Sequence, residues 1–125
     1  QASVTALRER GADASLDARL SPTALATQQA AVRDGHCGLL PEARLPAMTR
    51  MQIARDVALA ETLASQAAPG RTVVLVAGFG HVRTDIGVPL HLPPALAVQA
   101  ERLPPHDSGR NHCAELRQQW QAPRR

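Results

Sequence analysis

Residues 72–77 read TVVLVA, an unbroken and mainly β-branched apolar run without polar alternation. A strand of this kind is buried on both faces, which is typical of a central strand in a parallel sheet. Directly before it, apolar residues at helical spacing predict a long helix from about residue 46 to 68, ended by Pro69 and Gly70. A helix that leads into a buried strand indicates an α/β fold with a mainly parallel sheet.

Further elements are predicted on both sides of this unit. Ser21 and Pro22 are a good N-cap and first helical residue, and that helix should end at Gly35. A weaker strand is predicted at 95–100 and a last helix at 113–121. One helix and one central strand do not complete a sheet, so we expect partner strands upstream of Gln1. The sequence begins without Met or a signal-like segment, which suggests a processed chain or an internal fragment.

Composition limits the function classes. The 125 residues suit a single domain with one core. All 14 basic residues are Arg, they are interleaved with acidic residues, and Phe79 and Trp120 are the only aromatics. A nucleic-acid interface normally needs a basic patch and stacking rings, so we expect no nucleic-acid partner. No apolar stretch approaches the length of a membrane span.

Cys37 and Cys113 are the only cysteines, and each follows a histidine. Two cysteines cannot form a Cys-rich zinc site by themselves. In an oxidising compartment they would form a disulfide, and two buried free thiols are the alternative.

The strongest candidate site follows the predicted strand, in the segment GFGHVR at 78–83. Ligands of open α/β sheets bind outside the carboxyl ends of strands. Gly78 and Gly80 would let a flat or bulky ligand approach the backbone, His81 offers an imidazole for a metal, and Arg83 offers a guanidinium for a carboxylate. The alternative is a tight turn in which His81 hydrogen-bonds to the backbone.

Two further clusters carry polar side chains. His36 and Cys37 lie in a glycine-flanked loop, where His36 is a candidate metal ligand or simply part of a helix C-cap. Gln52, Arg55 and Asp56 form a polar group on the otherwise apolar long helix, with Gln52 and Asp56 one turn apart. Such a group is either a solvated edge, which is the default interpretation, or a set of hydrogen-bonding groups beneath a site.

These motifs together resemble a known family. The matching residues are HCG at 36–38, LPE at 40–42, Met48, Gln52, RD at 55–56 and LVAGFGHVRTDIGVP at 75–89. In order and spacing, residues 34–92 are similar to the C-terminal part of ChaN-like haem-binding uptake proteins. That family is grouped with the Tiki-like and erythromycin-esterase-like proteins in one superfamily.

The resemblance implies a single domain over residues 1–125, with a three-layer α/β sandwich plus a helical region. It implies haem as the cofactor, held at the interface of a homodimer, and a role in bacterial iron uptake without catalytic turnover. It also implies a periplasmic or outer-membrane location, often as a lipoprotein anchored through an upstream segment. By position, His81, Arg83, Gly78 and Gly80 would line the ligand cleft, with His36 on the adjoining loop and Gln52 and Arg55 bracing the pocket.

The chain departs from the family pattern in two ways. It has no Gly-Glu-x-His motif and no Tyr, although Tyr ligates haem iron in some members. His81 and His36 are therefore the candidate iron ligands within this chain. The alternative function is a metal-dependent or His/Glu-based hydrolase, with His81 as metal ligand or base and Glu42 or an upstream Glu as its partner. A degenerate domain without a ligand is the third possibility.

Overall fold

All regular secondary structure is helical in the part of the chain that the structure, a computed structural model, describes, which is residues 4–123. The α-helices are α1 (Val4–Ala12), α2 (Pro22–Gly35), α3 (Leu45–Gln66), α4 (Phe79–Val82) and α5 (His112–Gln121). Short 3₁₀ helices span Ala14–Arg19, Glu42–Arg44 and Val88–His91. Among these elements there is none with the length and apolar character that a membrane crossing requires.

The predicted helices are confirmed. Helix α2 starts at Pro22 and the Ser21 hydroxyl accepts a hydrogen bond from the backbone N–H of Ala24 at 3.1 Å, so the Ser-Pro start works as expected. Helices α3 and α5 lie close to the ranges predicted from periodicity. Local sequence signals were sufficient for these elements.

Helix α3 is the centre of the packing. Its buried residues recur every three or four positions and form one stripe: Leu45, Thr49, Ile53, Asp56 and Ala60. Ile53 packs with Leu16 and Leu20 in the main hydrophobic cluster. Helices α1 and α2 and the 3₁₀ segments Ala14–Arg19 and Val88–His91 all contact α3. The long helix is therefore covered by other helices and by turns of the chain.

The predicted α/β sandwich with its mainly parallel sheet is wrong for the described residues. No strand occurs between residues 4 and 123, and 72–77 is extended but unpaired. Val74 is 76% exposed and Val76 is 90% exposed, so the run is not buried on both faces. The physical reason is that a strand is stable only when its backbone groups pair with a neighbouring strand, and this part of the chain supplies no such neighbour.

The second predicted strand, 95–100, is also wrong, because these residues form a turn and then unpaired extended chain. The two extended segments line one open groove of about 1050 Å³, with residues 72–75 and 96–101 among its lining. Leu63, Val82, Val88 and Leu92 also line the groove. The two β-prone segments therefore border a shared apolar surface without forming a sheet.

A disulfide joins Cys37, just after α2, to Cys113 in α5. This is one of the two alternatives that the sequence left open. The bond spans 76 positions and links the C-terminal helix to the end of α2. A cross-link over so long a loop restricts the unfolded chain strongly.

We predict that replacing both cysteines by alanine lowers the free energy of unfolding by about 4 kcal/mol, because the long loop is no longer closed in the unfolded state. Chemical denaturation monitored by circular dichroism measures this change. The oxidised parent treated with reductant should lose the same amount, whereas the double variant should not respond to reductant. Equal stability of parent and variant would contradict the prediction.

A pH effect is predicted from His91, in the last 3₁₀ segment. Its Nε2 atom is buried without a hydrogen-bond partner, and burial, helped by the charge of Arg19, lowers the pKa of the ring below the ordinary 6.5. Below the ordinary value the unfolded state binds this proton while the folded state does not yet do so. His91 therefore makes stability fall as the pH drops below about 6.5, towards its lowered folded pKa.

In the variant His91→Gln, the decline in unfolding free energy between about pH 7 and 5 should be shallower, by at most about 1.4 kcal/mol per pH unit. Denaturant titrations at several pH values measure the slope. The exposed His106, changed to Gln, is the matched control and should leave the slope as in the parent. Identical slopes for the parent and His91→Gln would disprove the assignment.

Candidate functional site

Helix α4 carries His81 and is anchored by the turn that follows it. Ile86 and Val88 are buried, and the 3₁₀ segment that Val88 begins packs on α3. The backbone N–H of Gly87 donates a hydrogen bond to the carbonyl of Arg83 at 2.9 Å and closes the turn. The burial of two aliphatic side chains thus fixes α4 against the middle of α3.

The central contact of the site joins His81 to Asp56 of α3. The Nδ1 atom of His81 lies 2.6 Å from Oδ1 of Asp56. The Asp56 side chain is fully buried, while that of His81 is 23% exposed. A solvent-accessible imidazole is therefore held from behind by a carboxyl group inside the protein.

Gln52 completes the cluster one helical turn before Asp56. Its side-chain amide lies 3.1 Å from the same Nδ1 atom of His81. A ring nitrogen cannot both donate to the carboxylate and accept from an amide, and the shorter contact is the one to Asp56. The shorter contact assigns the Nδ1–H donation to Asp56, and the side-chain nitrogen of Gln52 lies beside the same ring atom.

This hydrogen bond decides which atom of His81 is available. With the proton on Nδ1, the Nε2 atom keeps its lone pair. A carboxylate–histidine pair of this kind is the usual arrangement behind a metal-binding imidazole, because the carboxylate fixes the tautomer and the ring orientation. The same pair would also support a general base.

Burial raises the pKa of the Asp56 carboxyl, and the hydrogen bond from His81 opposes that shift. The other carboxyl oxygen, Oδ2, is buried and has no hydrogen-bond partner among the described residues. A buried carboxyl with one satisfied oxygen is costly and therefore rare. The His81 ring thus provides the contact of 2.6 Å to Oδ1 that compensates the buried carboxyl group.

The GFGHVR segment contains three other predicted site residues, Gly78, Gly80 and Arg83, and their surroundings differ. Gly78 is the N-cap residue of α4, and a Cβ added at Gly78 or Gly80 would meet no atom within 4 Å. Both glycines therefore face open space. Arg83 is engaged by Asp85 through two hydrogen bonds of 2.9 and 2.6 Å. One edge of its guanidinium, formed by Nε and Nη2, is therefore already occupied by a carboxylate of this chain.

His36 and Arg55 are not part of this cluster. His36 is the C-cap residue of α2, and its Nδ1 atom lies 2.7 Å from the carbonyl oxygen of Val32. Arg55 is exposed on α3, next to the buried Asp56. Of the polar trio on the long helix, the structure brings Gln52 and Asp56 to His81 and leaves Arg55 at the solvated edge.

Asp56 is the residue that sequence reasoning omitted from the site. The signal that points to it is its spacing of four from Gln52 on a helix whose neighbouring positions are apolar. The interpretation of the trio as a solvated edge is therefore wrong for Asp56. Arg55 lies three residues from Gln52, so this spacing alone does not distinguish the buried Asp56 from the exposed Arg55.

Two cavities border the residue after His81. The large groove and a smaller one of about 280 Å³ both include Val82 in their lining, and the smaller also includes Phe79 and Arg83. His81 itself lines neither of them. Within residues 4–123, no group of three or more His, Cys, Asp or Glu side chains is arranged to hold a metal ion.

The geometry predicts that Gly87→Ala is destabilising. A Cβ at this position would lie 2.8 Å from the carbonyl carbon of His81 and 2.8 Å from the carbonyl oxygen of Arg83. The backbone of α4 would have to move, at a cost of about 1–3 kcal/mol in unfolding free energy. Gly80→Ala is the matched control and should be neutral or slightly stabilising, since open space surrounds it. Denaturation curves that rank Gly80→Ala as the less stable variant would oppose this account.

Comparison with known proteins identifies the family. No curated protein and no solved structure matches the chain significantly. A family model described as haem-binding uptake, Tiki superfamily, ChaN matches residues 2–92, which is most of the chain and includes α3 and His81. The chain belongs to the ChaN family of haem-binding uptake proteins in the Tiki superfamily.

Proposed function

We propose that this chain binds haem and that the Nε2 atom of His81 would hold the haem iron. The observation that carries the proposal is the 2.6 Å contact between His81 Nδ1 and the buried Asp56. It leaves Nε2 with a free lone pair on a ring that is partly exposed. Membership of a haem-binding family supports haem as the group that this imidazole takes.

A haem site needs a ligand for the iron and an apolar surface for the porphyrin edge. Bound haem supplies an iron with axial positions that an imidazole can occupy, and its porphyrin edge is apolar. His81 provides the imidazole, and Gly78 and Gly80 add no side chain beside it. The large groove next to Val82 offers an apolar lining from Leu75, Val82 and other aliphatic side chains. His81 suits the iron, and the groove, which His81 itself does not line, supplies an adjoining apolar surface for the porphyrin edge.

The propionate groups of haem need a cation. Arg83 was expected to fill this role, but the Nε and Nη2 edge of its guanidinium already donates to Asp85. Arg71 lines the large groove. We therefore assign propionate binding to Arg71 rather than to Arg83.

The alternative hydrolase function gains less support. In that mechanism Glu42 was the partner expected for His81 within this chain. Glu42 instead accepts two hydrogen bonds from Arg33, at 2.8 and 3.0 Å. Because the expected pair is not formed, we favour ligand binding without turnover.

Iron uptake outside the cytoplasm is the cellular role that we propose. The Cys37–Cys113 disulfide supports it, because structural disulfides persist in oxidising compartments. A homodimer with haem at its interface and an upstream lipid anchor remain predictions of the family resemblance.

The test is a haem titration followed by the Soret band. The parent chain should give a shifted band, and His81→Ala should weaken binding by more than about tenfold, or about 1.4 kcal/mol. His106→Ala, which removes an exposed imidazole, is the control for nonspecific coordination and should bind as the parent does.

His36→Ala separates the two candidate ligands. The proposal expects parent-like affinity for His36→Ala, because its ring caps α2 through Val32. Parent-like affinity of His81→Ala, or the absence of a Soret shift with the parent chain, would refute the proposal.

A further inference from the structure

The pairing of His81 with Asp56 has a consequence for the iron as well as for the ring. Asp56 is on the buried stripe of α3, between Ile53 and Ala60. Its Oδ1 atom accepts the Nδ1–H of His81 at 2.6 Å, and its Oδ2 atom has no partner among the described residues. The carboxyl group therefore makes its hydrogen bond to the imidazole.

A carboxylate that accepts the Nδ1 proton draws that proton towards itself and increases the electron density on Nε2. Water would weaken this effect, but Asp56 is fully buried. A stronger donor at Nε2 stabilises the more highly charged iron, so it favours the ferric over the ferrous state. Hydrogen bonds to an axial ligand are one of the ways in which proteins adjust haem potentials.

We propose that Asp56 is a positioning residue of the haem site that holds His81 in the Nδ1–H tautomer and makes the site prefer ferric over ferrous haem. This inference rests on the proposed function, since it takes His81 as the iron ligand. It assigns a role to a residue that does not touch the iron. It also explains why a carboxyl group occupies a core position where an apolar side chain would avoid the cost of burial.

A purely structural role for Asp56 makes a different prediction. If the hydrogen bond served only to hold α4 against α3, its loss would change stability and haem affinity in both iron states alike. If Asp56 instead positions the ring and adds to its donor strength, loss of the hydrogen bond changes the ratio of the ferric to the ferrous haem affinity. That ratio is measured as the reduction potential of the bound haem.

The main variant is Asp56→Asn, which keeps the size of the side chain and removes its charge. We expect the ratio of ferric to ferrous haem affinity to fall by about tenfold or more, which raises the potential by about 59 mV for a one-electron couple. Glu61→Gln is the matched control, because it removes an exposed carboxylate from the same helix. It should leave the potential unchanged. Spectroelectrochemical titration of the haem-loaded chains measures both.

A second measurement uses the chain without haem, and its result for the parent does not depend on any variant folding. The ¹⁵N chemical shifts of the His81 ring report its tautomer, and in the parent we expect the Nδ1–H form to predominate. In Asp56→Asn that preference should weaken, while Glu61→Gln should resemble the parent.

The outcomes separate the two proposals. A predominantly Nε2–H ring in the parent, or equal potentials for Asp56→Asn and Glu61→Gln, would overturn the role of Asp56. Failure of the parent to bind haem would overturn the proposed function and the ferric preference, and the tautomer measurement would still decide whether Asp56 positions the ring. An Nδ1–H ring in the parent together with a raised potential in Asp56→Asn supports both.

Discussion

One face of α3 organises the packing of the N-terminal helices and of the turn that follows His81. Leu45, Thr49, Ile53, Asp56 and Ala60 are buried along it at intervals of three and four residues. The aliphatic members of this stripe pack against the N-terminal helices, and the last 3₁₀ segment also packs on α3. Asp56 interrupts the apolar stripe with a carboxyl group, and the only way to satisfy that group locally is to bring a donor to it. His81 is that donor, at 2.6 Å, so the site lies on the same face of α3 that the packing buries.

The position of His81 depends on three residues that have no polar side chain. Ile86 and Val88 are buried, and Gly87 lies so close to the backbone of α4 that no side chain fits there. These three residues hold a four-residue helix that could not be stable alone. Aliphatic burial and one tight backbone contact therefore fix the position of the imidazole. Asp56 fixes its tautomer.

The second half of the chain is held in a different way. Beyond Leu92 the described residues are mostly extended and exposed, and α5 is linked to the rest by the disulfide at its first turn. The extended segments at 72–77 and 95–100 face a common groove without pairing. Three exposed valines, Val73, Val74 and Val76, make this surface apolar. The groove lies beside the residue that follows His81, so the apolar surface and the candidate ligand are neighbours.

Sequence signals alone were enough for the helices and the family, and they marked His81 as a candidate ligand. Caps, helical periodicity and glycine stops are local signals, and a local signal is sufficient to define a helix because its hydrogen bonds are made within the segment. Strand propensity at 72–77 is equally clear in the sequence, yet it did not produce a sheet, because strand hydrogen bonds require a second segment. Only the tertiary structure decided that Asp56 is buried while Arg55 is exposed, that Arg83 is paired with Asp85, and that Cys37 meets Cys113. Each of these depends on which side chains from distant parts of the chain come together, and no pattern of neighbouring residues encodes that.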